Sequence, residues 1–411
     1  MRRLLATIGG TDLGDLRLAL RLLLQPGRLI HGPVIETYER AFAAEVGAQC
    51  AVSFASGRVA LYAILRALGV GQGDDVLLSV PTHIVVANAI RYVGARPVFV
   101  DCDPATYGMD LDMAERLITP ASRVLLVQHT FGIPIDLDHA SELARRRGLV
   151  LVEDCVHALG ARYGGRSVGS VGRAAFFSTE ETKTITSTMG GMAVTNDPDL
   201  GARMRDIQAE AEWPSRSLTA RFVAKLAWRH VLTQPDIHPY TKPLYMFLRR
   251  AGFVPGPTSM TEAQGDRPAH YLQRLTNAQA ALALRQLRRL EANVAHRNAA
   301  AAVYERLLRP AGLRLTDPPP GAIPVYLRYP VWVRDRDATV RAAASRAMLG
   351  RWFTSVLEEC VRPEDGGYVP GLAPHAEEAA RHLINLPTHR RVRLDDIEAI
   401  TRSVIATEAV V

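Results

Sequence analysis

The stretch Leu149-Val-Leu-Val-Glu153-Asp154-Cys-Val-His157-Ala-Leu-Gly160 carries the clearest indication of how this 411-residue chain folds. It is typical of a short buried strand that ends in two adjacent carboxylates. Ligands of open α/β sheets bind at the carboxyl ends of the strands, so Asp154 has the residue type and the place of a ligand-binding group. Glu153 is a rival for that role, and a helix N-cap is the alternative interpretation of an acidic strand end.

Similar short apolar runs alternate with helical or polar segments through the first half of the chain. The runs at 59–68 and 84–93 predict helices between strands. Alternation of this kind indicates the α/β class, with a mostly parallel sheet covered by helices on both faces. The predicted strands are 51–54, 76–80, 97–100, 124–128, 149–153 and 174–177.

The second half of the chain changes in character. Good helix formers dominate residues 277–308, and Asp317-Pro-Pro-Pro-Gly321 ends that helical stretch. A predicted strand at 325–333 and further helices follow. We therefore expect an N-terminal arm and helix over 1–45, a large α/β domain over 46–289 and a small α+β domain over 290–411, a division that suits the length.

The composition indicates the cellular compartment and the kinds of binding partner to expect. No apolar run approaches the ~20 residues of a membrane span, and the apolar start ends too early for a secretory signal, so we expect a cytoplasmic protein. The four cysteines lack ligand spacing, which argues against a disulfide framework and against a metal site. The net charge of +7 suits an anionic small ligand. Because the basic residues are spread along helices, no nucleic acid partner is expected.

The strongest local signal is a lysine in a polar loop, Ser178-Thr-Glu-Glu-Thr-Lys183, which leaves one predicted strand shortly before Gly190-Gly191 opens the next. A Schiff-base lysine needs a protected position, because its amine must be partly neutral to attack a carbonyl. A loop lysine taken alone is more often a solvated charge, so its context decides. A pyridoxal site also needs a carboxylate against the pyridine nitrogen, and Asp154 meets that requirement.

A third signal is Ser56-Gly57-Arg58-Val-Ala-Leu61, which joins the first predicted strand to the next helix. A glycine-containing turn at a helix N-terminus offers free backbone N–H groups and the positive end of the helix dipole to a phosphate. Many strand–helix turns contain Ser-Gly, so this signal gains its meaning from the other two.

These three signals, in this order, resemble the DegT/DnrJ/StrS family of sugar aminotransferases. Gly94-Ala-Arg-Pro-Val-Phe-Val-Asp101 is similar to the family's G-A-x-P-V-F-V-D, and His129-Thr-Phe-Gly-Ile-Pro134 to its H-x-x-G-x-P. Leu386-Pro-Thr-His389 is similar to its C-terminal L-P-x-H. Each match is weak alone, but together they run in the same order over nearly the whole chain.

The resemblance implies a fold type I architecture with a mixed seven-stranded sheet, pyridoxal 5′-phosphate as cofactor, a homodimer and transamination. An amino acid, expected to be glutamate, gives its amino group to an anionic keto-sugar or related ketone, expected to be nucleotide-linked. Two alternatives stay open. One is the deoxysugar dehydration of relatives that carry a His in place of the lysine, and the other is a non-catalytic regulatory or scaffold role.

The resemblance also implies roles for individual residues. Lys183 matches the Schiff-base lysine, Asp154 the partner of the pyridine nitrogen, and His157 a residue near the phenolic oxygen of the cofactor. These three are the predicted catalytic residues. The phosphate-binding positions fall on Gly57, Arg58 and Ser178, and the ring-stacking position falls on His83, for which a hydrogen-bonded loop histidine is the alternative.

The chain departs from the family's pattern in three respects. Thr188-Met-Gly-Gly191 stands where the family has G-E-G-G after the lysine. Leu272 stands where the family has an asparagine that reaches the phosphate of the neighbouring subunit, and Arg58 is a candidate replacement.

An insertion over 211–267, divided by Pro235 and Pro239 into two predicted helical pieces, interleaves cations with aromatic residues. We expect it to pack against another subunit, to form a cationic lid over an anionic substrate, or to lie on a membrane surface, in that order of preference. The cations proposed for the lid are Arg221, Lys225 and Arg229.

Overall fold

The centre of the computed structural model, which describes residues 3–6, 8, 10–238, 240–241 and 258–409, is a seven-stranded mixed sheet. The strands are β1 (Cys50–Phe54), β2 (Asp75–Ser79), β3 (Arg96–Val100), β4 (Ser122–Gln128), β5 (Val150–Asp154), β6 (Ala174–Ser178) and β7 (Gly191–Thr195). Their order across the sheet is β1-β7-β6-β5-β4-β2-β3. Strand β7 runs antiparallel to both of its neighbours, and the other pairs are parallel.

Helices cover both faces of this sheet, as the alternating pattern predicts. The helices of the described residues, over the whole fold, are α1 (Leu13–Leu23), α2 (Val34–Val46), α3 (Gly57–Ala67), α4 (Ile84–Tyr92), α5 (Leu111–Leu117), α6 (Leu137–Arg147), α7 (Pro198–Glu210), α8 (Arg216–Leu232), α9 (Met260–Ala263), α10 (Asn277–Leu287), α11 (Leu290–Leu308), α12 (Arg336–Ala343), α13 (Pro374–His382) and α14 (Leu394–Glu408).

Alternate strand residues enter two separate cores. Val124 and Leu126 of β4 pack with α3, α4 and α7, whereas Leu125 and Val127 pack with α2, α5, α6 and α10. Successive side chains of a strand point to opposite faces, so a strand buried on both faces is apolar throughout. The predicted fold class, α/β with a mixed seven-stranded sheet, is confirmed.

Two predictions for the second half need correction. The helical stretch at 277–308 is two helices, because it is interrupted between Leu287 and Leu290. The predicted strand at 325–333 forms only over Tyr329–Trp332, here β8, which pairs antiparallel with β9 (Leu383–Leu386). The residues just before β8 form backbone hydrogen bonds with the loop after β4, where the Leu327 N–H donates to Phe131 O at 2.8 Å. This contact ties the C-terminal part of the chain to the loop after β4.

Shorter pairings complete the architecture. Leu4–Leu5 pairs with Ala347–Met348, and Arg162–Tyr163 pairs with both Arg166–Ser167 and Ala322–Ile323. Thr82–His83 pairs with Leu357–Glu358, which brings the segment around residue 352 to the carboxyl edge of the sheet. The predicted division of the chain at 45/46 and 289/290 stays a prediction.

The first piece of the insertion is helix α8, which packs within its own chain. Its Val223 and Leu226 enter one cluster with Ala19 and Leu22 of α1 and Leu282 of α10. Helix α8 thus packs on α1 and α10 of its own chain, and the expected packing against another subunit stays a prediction. Most of the second piece, including Lys242, Tyr245, Phe247, Arg249 and Arg250, lies outside the described residues. Among the helices that the structure describes, none is long and apolar enough to cross a membrane.

Candidate active site

A cavity of about 160 Å³ opens where β5 and β6 end and α3 begins. Parallel strands bring their carboxyl ends to one edge of the sheet, so groups that are distant in the chain converge there. The seven residues with a predicted catalytic or cofactor-binding role all line this cavity: Gly57, Arg58, His83, Asp154, His157, Ser178 and Lys183.

Asp154 is the last residue of β5 and faces the cavity. Its Oδ1 accepts a hydrogen bond from the Val156 N–H at 3.0 Å, whereas its buried Oδ2 has no partner. Burial raises the pKa of Asp154 to about 6, although the Val156 N–H and the Lys183 cation act in the opposite direction. An unpaired, buried carboxylate oxygen is costly unless a ligand completes it.

Glu153, the rival carboxylate, points to the other face of the sheet. Its oxygens accept hydrogen bonds from the N–H groups of Gly169, Val171 and Gly172 at 2.7–3.0 Å, and Oε2 lies 3.0 Å from His129 Nε2. Burial alone would raise the pKa of Glu153, but the His129 ring and these backbone N–H groups lower it. Glu153 therefore has its partners within the fold, and Asp154 is the acid with an oxygen to spare.

Lys183 reaches the cavity from the loop between β6 and β7, and its residue is only 8% exposed. Burial lowers the pKa of Lys183 to about 8, and the neighbouring Arg328 cation also lowers it, while Glu180 and Asp154 oppose the shift. A useful fraction of the amine is thus neutral near physiological pH, as nucleophilic attack on a carbonyl requires.

The two histidines of the cavity differ in their partners. His157 is buried with neither ring nitrogen hydrogen-bonded, and burial holds its pKa well below the usual value. His83 caps α4: its Nδ1 accepts from the Val85 N–H at 3.3 Å, and its Nε2 lies 3.4 Å from Glu359 Oε2. The alternative of a hydrogen-bonded loop histidine therefore describes His83, while its stacking role stays a prediction.

The residues predicted to bind the phosphate lie together at the first turn of α3. Gly57 is the first residue of that helix, and a Cβ there would lie 3.2 Å from both Phe177 O and the Cβ of Ser178. A helix N-terminus approached this closely by a serine suits an anion. Arg58 lines the same cavity, but its Nε pairs with Glu262 of the insertion at 2.8 Å.

Arg328 and Trp352 also line the cavity, and neither was predicted from the sequence. The Trp352 ring lies centrally, with its centroid 4.0 Å from Arg328 Cζ, 5.1 Å from Lys183 Nζ and 4.8 Å from the His157 ring centroid. Nothing local marks Trp352. An arginine inside the apolar run 325–333 is a signal that could have found Arg328.

Two cations of the insertion contact the loop that carries Lys183 and do not line the cavity. Lys225 Nζ and Arg229 Nη1 lie 2.7 and 2.8 Å from Glu181 Oε2, and all three side chains are largely buried. Although burial would raise the pKa of Glu181, the two cations lower it. The lid prediction is therefore wrong for Lys225 and Arg229, which tie α8 to the loop that carries Lys183.

Lys225→Met is expected to lower the free energy of unfolding by about 1–3 kcal/mol, because Glu181 loses one of two partners in a buried place. Arg221→Ala, on the exposed side of the same helix, should change it by at most about 0.5 kcal/mol. Urea denaturation of the two variants measures both values. Equal stabilities would contradict a structural role for this ion pair.

A buried lysine and a buried carboxylate at the carboxyl edge of a mixed seven-stranded sheet define a fold type I enzyme. The chain belongs to the DegT/DnrJ/EryC1/StrS aminotransferase family, whose sequence profile matches residues 14–405. The predicted family and enzyme class, a PLP-dependent aminotransferase, are thereby confirmed.

Known relatives match this chain over different lengths. GDP-perosamine synthase of Caulobacter vibrioides is 30% identical over 388 residues, which cover 90% of this chain and 88% of that protein. L-glutamine:2-deoxy-scyllo-inosose aminotransferase of Streptomyces kanamyceticus is 40% identical over 200 residues, 47% of each chain. Spr1654 of Streptococcus pneumoniae, solved in a PLP form, has the same fold, with a TM-score of 0.77 over 98% of this chain and 97% of that chain at 20% identity.

Proposed function

We propose that this protein binds pyridoxal 5′-phosphate on Lys183 and transfers the amino group of glutamate to a keto-sugar or related ketone, nucleotide-linked and therefore anionic. The observation that carries the proposal is the pairing, in one cavity, of a buried lysine of lowered pKa with a buried aspartate whose Oδ2 lacks a partner. Of the two relatives, one is named for a GDP-linked product, and the other for a glutamine donor and an inosose acceptor.

The unsatisfied groups of the cavity fit this cofactor. Asp154 Oδ2 would accept from its protonated ring nitrogen, and the free ring nitrogens of His157 suit its phenolic oxygen. Backbone N–H groups at the start of α3, with the hydroxyl of Ser178, would hold its phosphate. The contacts of Asp154 and His157 would complete polar atoms that the fold leaves without a partner.

When bound, the cofactor supplies an electron sink that stabilises negative charge on the substrate carbon. The protein supplies position and protons. Asp154, only 1% exposed, would keep the ring nitrogen of the cofactor protonated, because a buried carboxylate favours a cation beside it. The amine of Lys183 would act as a general base and then as a general acid, taking a proton from the α-carbon of the donor and returning one to a neighbouring carbon.

The presence and burial of Lys183 favour amino transfer over the dehydration alternative. A regulatory or scaffold role would leave the same cavity without turnover. The proposal includes a homodimer. Sedimentation equilibrium measures the mass of the protein in solution, and we expect the mass of two chains.

The test is a half-reaction with purified, cofactor-loaded protein. L-glutamate should convert the cofactor to its amino form, seen as a change in its visible absorbance, with one equivalent of 2-oxoglutarate released. L-glutamine serves as the competing donor. Nucleotide-linked keto-sugars and free keto-cyclitols are then screened for return of the original spectrum. A loaded protein that no amino donor converts would contradict the proposal and favour the scaffold role.

The pH dependence of cofactor capture tests the environment of Lys183. Only a neutral amine attacks the aldehyde, and the pKa of Lys183 is about 8. The neutral fraction should rise roughly tenfold from pH 7 to pH 9 and then level off, whereas an ordinary lysine would gain about 100-fold without a plateau. Capture rates of the apoprotein, with Nα-acetyl-lysine as the control, measure this. Parallel pH profiles would contradict the lowered pKa.

A further inference from the structure

Arg328 is a buried cation that the proposed cofactor contacts leave unused. It is 4% exposed and lines the cavity, and its Nε is buried without a hydrogen-bond partner. No carboxylate among the described residues lies within ion-pair distance of its guanidinium, which rests on the Trp352 ring at 4.0 Å. Burial lowers the pKa of Arg328 to about 10, although Glu180 and Glu358 act in the opposite direction.

The backbone around Arg328 is held firmly. Leu327, the residue before it, donates its N–H to Phe131 O at 2.8 Å, and its carbonyl accepts from Arg297 Nη1 at 3.0 Å. An unpaired buried charge costs free energy, and a ligand of opposite charge bound in the cavity would offset that cost.

The position of Arg328 limits which anionic group could bind it. Its guanidinium and the Lys183 amine both lie within 5.1 Å of the centre of the same indole ring, that of Trp352. An α-amino acid carries its carboxylate on the same carbon as the amino group that replaces Lys183. A nucleotide-linked acceptor carries its phosphates several bonds from the reacting ketone. The cofactor phosphate would lie at the start of α3.

We propose that Arg328 binds the α-carboxylate of the amino donor, and the same carboxylate of the 2-oxo acid that leaves. The planar guanidinium offers two parallel N–H donors to the two carboxylate oxygens, a geometry that an ammonium group cannot reproduce. The assignment rests on the proposed function, and it holds for glutamate and glutamine alike because both carry this group. Trp352 positions the guanidinium by stacking beneath it.

The experiment compares Arg328→Gln and Arg328→Lys with Arg351→Gln in the cofactor-loaded protein. Arg351 is the matched control, since it neighbours Trp352 but is exposed and paired with Asp337. Binding of 2-methylglutamate, which cannot lose an α-proton, is measured by difference absorbance at equilibrium. Its dissociation constant should rise about 10- to 100-fold in Arg328→Gln and less in Arg328→Lys, and stay unchanged in Arg351→Gln.

A second probe, propylamine, has an amino group but no carboxylate. Its reaction with the bound cofactor should change far less in Arg328→Gln than that of glutamate does. The melting temperature of Arg328→Gln should equal or exceed that of the wild type, because a costly buried charge has been removed. A general disturbance of the site would slow both probes equally and lower the melting temperature, which would overturn the inference.

Two further outcomes separate this inference from the proposed function. Unchanged 2-methylglutamate binding together with a raised Michaelis constant for the anionic acceptor would move Arg328 to the acceptor's phosphates and overturn the assignment. A wild-type protein that reacts with no amino acid would refute the proposed function itself. If the wild type reacts with the donor and Arg328→Gln binds the donor with the same affinity as the wild type, only the role of Arg328 would be refuted.

Discussion

Lys183→Ala protein will fold but transfer amino groups more than about 10⁴-fold slower than the wild type, because the substitution removes both the covalent attachment point and the proton carrier. The alanine leaves a small space in a cavity that already exists, so the melting temperature of the apoprotein should change little. Steady-state transfer from the active donor, and circular dichroism of the apoprotein, measure the two effects.

Chemical trapping identifies the attachment point directly. The chain contains three lysines, Lys183, Lys225 and Lys242. Borohydride reduction of the loaded protein followed by peptide mapping should place the cofactor on Lys183 alone, and Lys242→Ala should be labelled as well as the wild type. An adduct on Lys225 or Lys242 would refute the assignment of the site.

Asp154→Asn is expected to lower turnover by at least about 100-fold, because an amide cannot hold the ring nitrogen of the cofactor protonated. The stability of the apoprotein should stay the same or rise, since a carboxylate with an unpaired buried oxygen has been replaced by a neutral group. Turnover per bound cofactor and the melting temperature of the apoprotein separate the two effects.

Glu153→Gln is the matched control for Asp154→Asn and should show the opposite pattern. An amide nitrogen in place of one carboxylate oxygen faces backbone N–H donors that it cannot accept from. The free energy of unfolding should fall by about 2–4 kcal/mol, while turnover per bound cofactor changes little. A fully active Asp154→Asn protein beside an inactive but stable Glu153→Gln protein would reverse the assignment.

Much of the fold could be predicted because its signals are local. Strand β5 was expected at 149–153 and lies at Val150–Asp154, and the strand expected at 174–177 lies at Ala174–Ser178. Short apolar runs between helices leave few other arrangements. The two-helix break after Leu287 and the shortened β8 were missed, since both depend on contacts with distant parts of the chain.

The insertion shows where composition misleads. Its cations suggested a lid because charge interleaved with aromatic residues is typical of a surface that meets an anion. Lys225 and Arg229 instead bind Glu181, an acid far away in the sequence. Pairing across the fold, rather than the net charge of a segment, decides what a buried cation does.

By itself, the sequence determined the α/β class and predicted Lys183 as the residue that holds a cofactor at the carboxyl edge of the sheet, because strand alternation and strand-end chemistry are properties of neighbouring residues. Only the tertiary structure decided between Asp154 and Glu153, since adjacent residues of a strand point to opposite faces and the sequence does not say which face holds the cavity. Only the tertiary structure, too, brought Arg328 and Trp352 beside Lys183. Their approach depends on strand pairings between distant segments, and no local pattern encodes these.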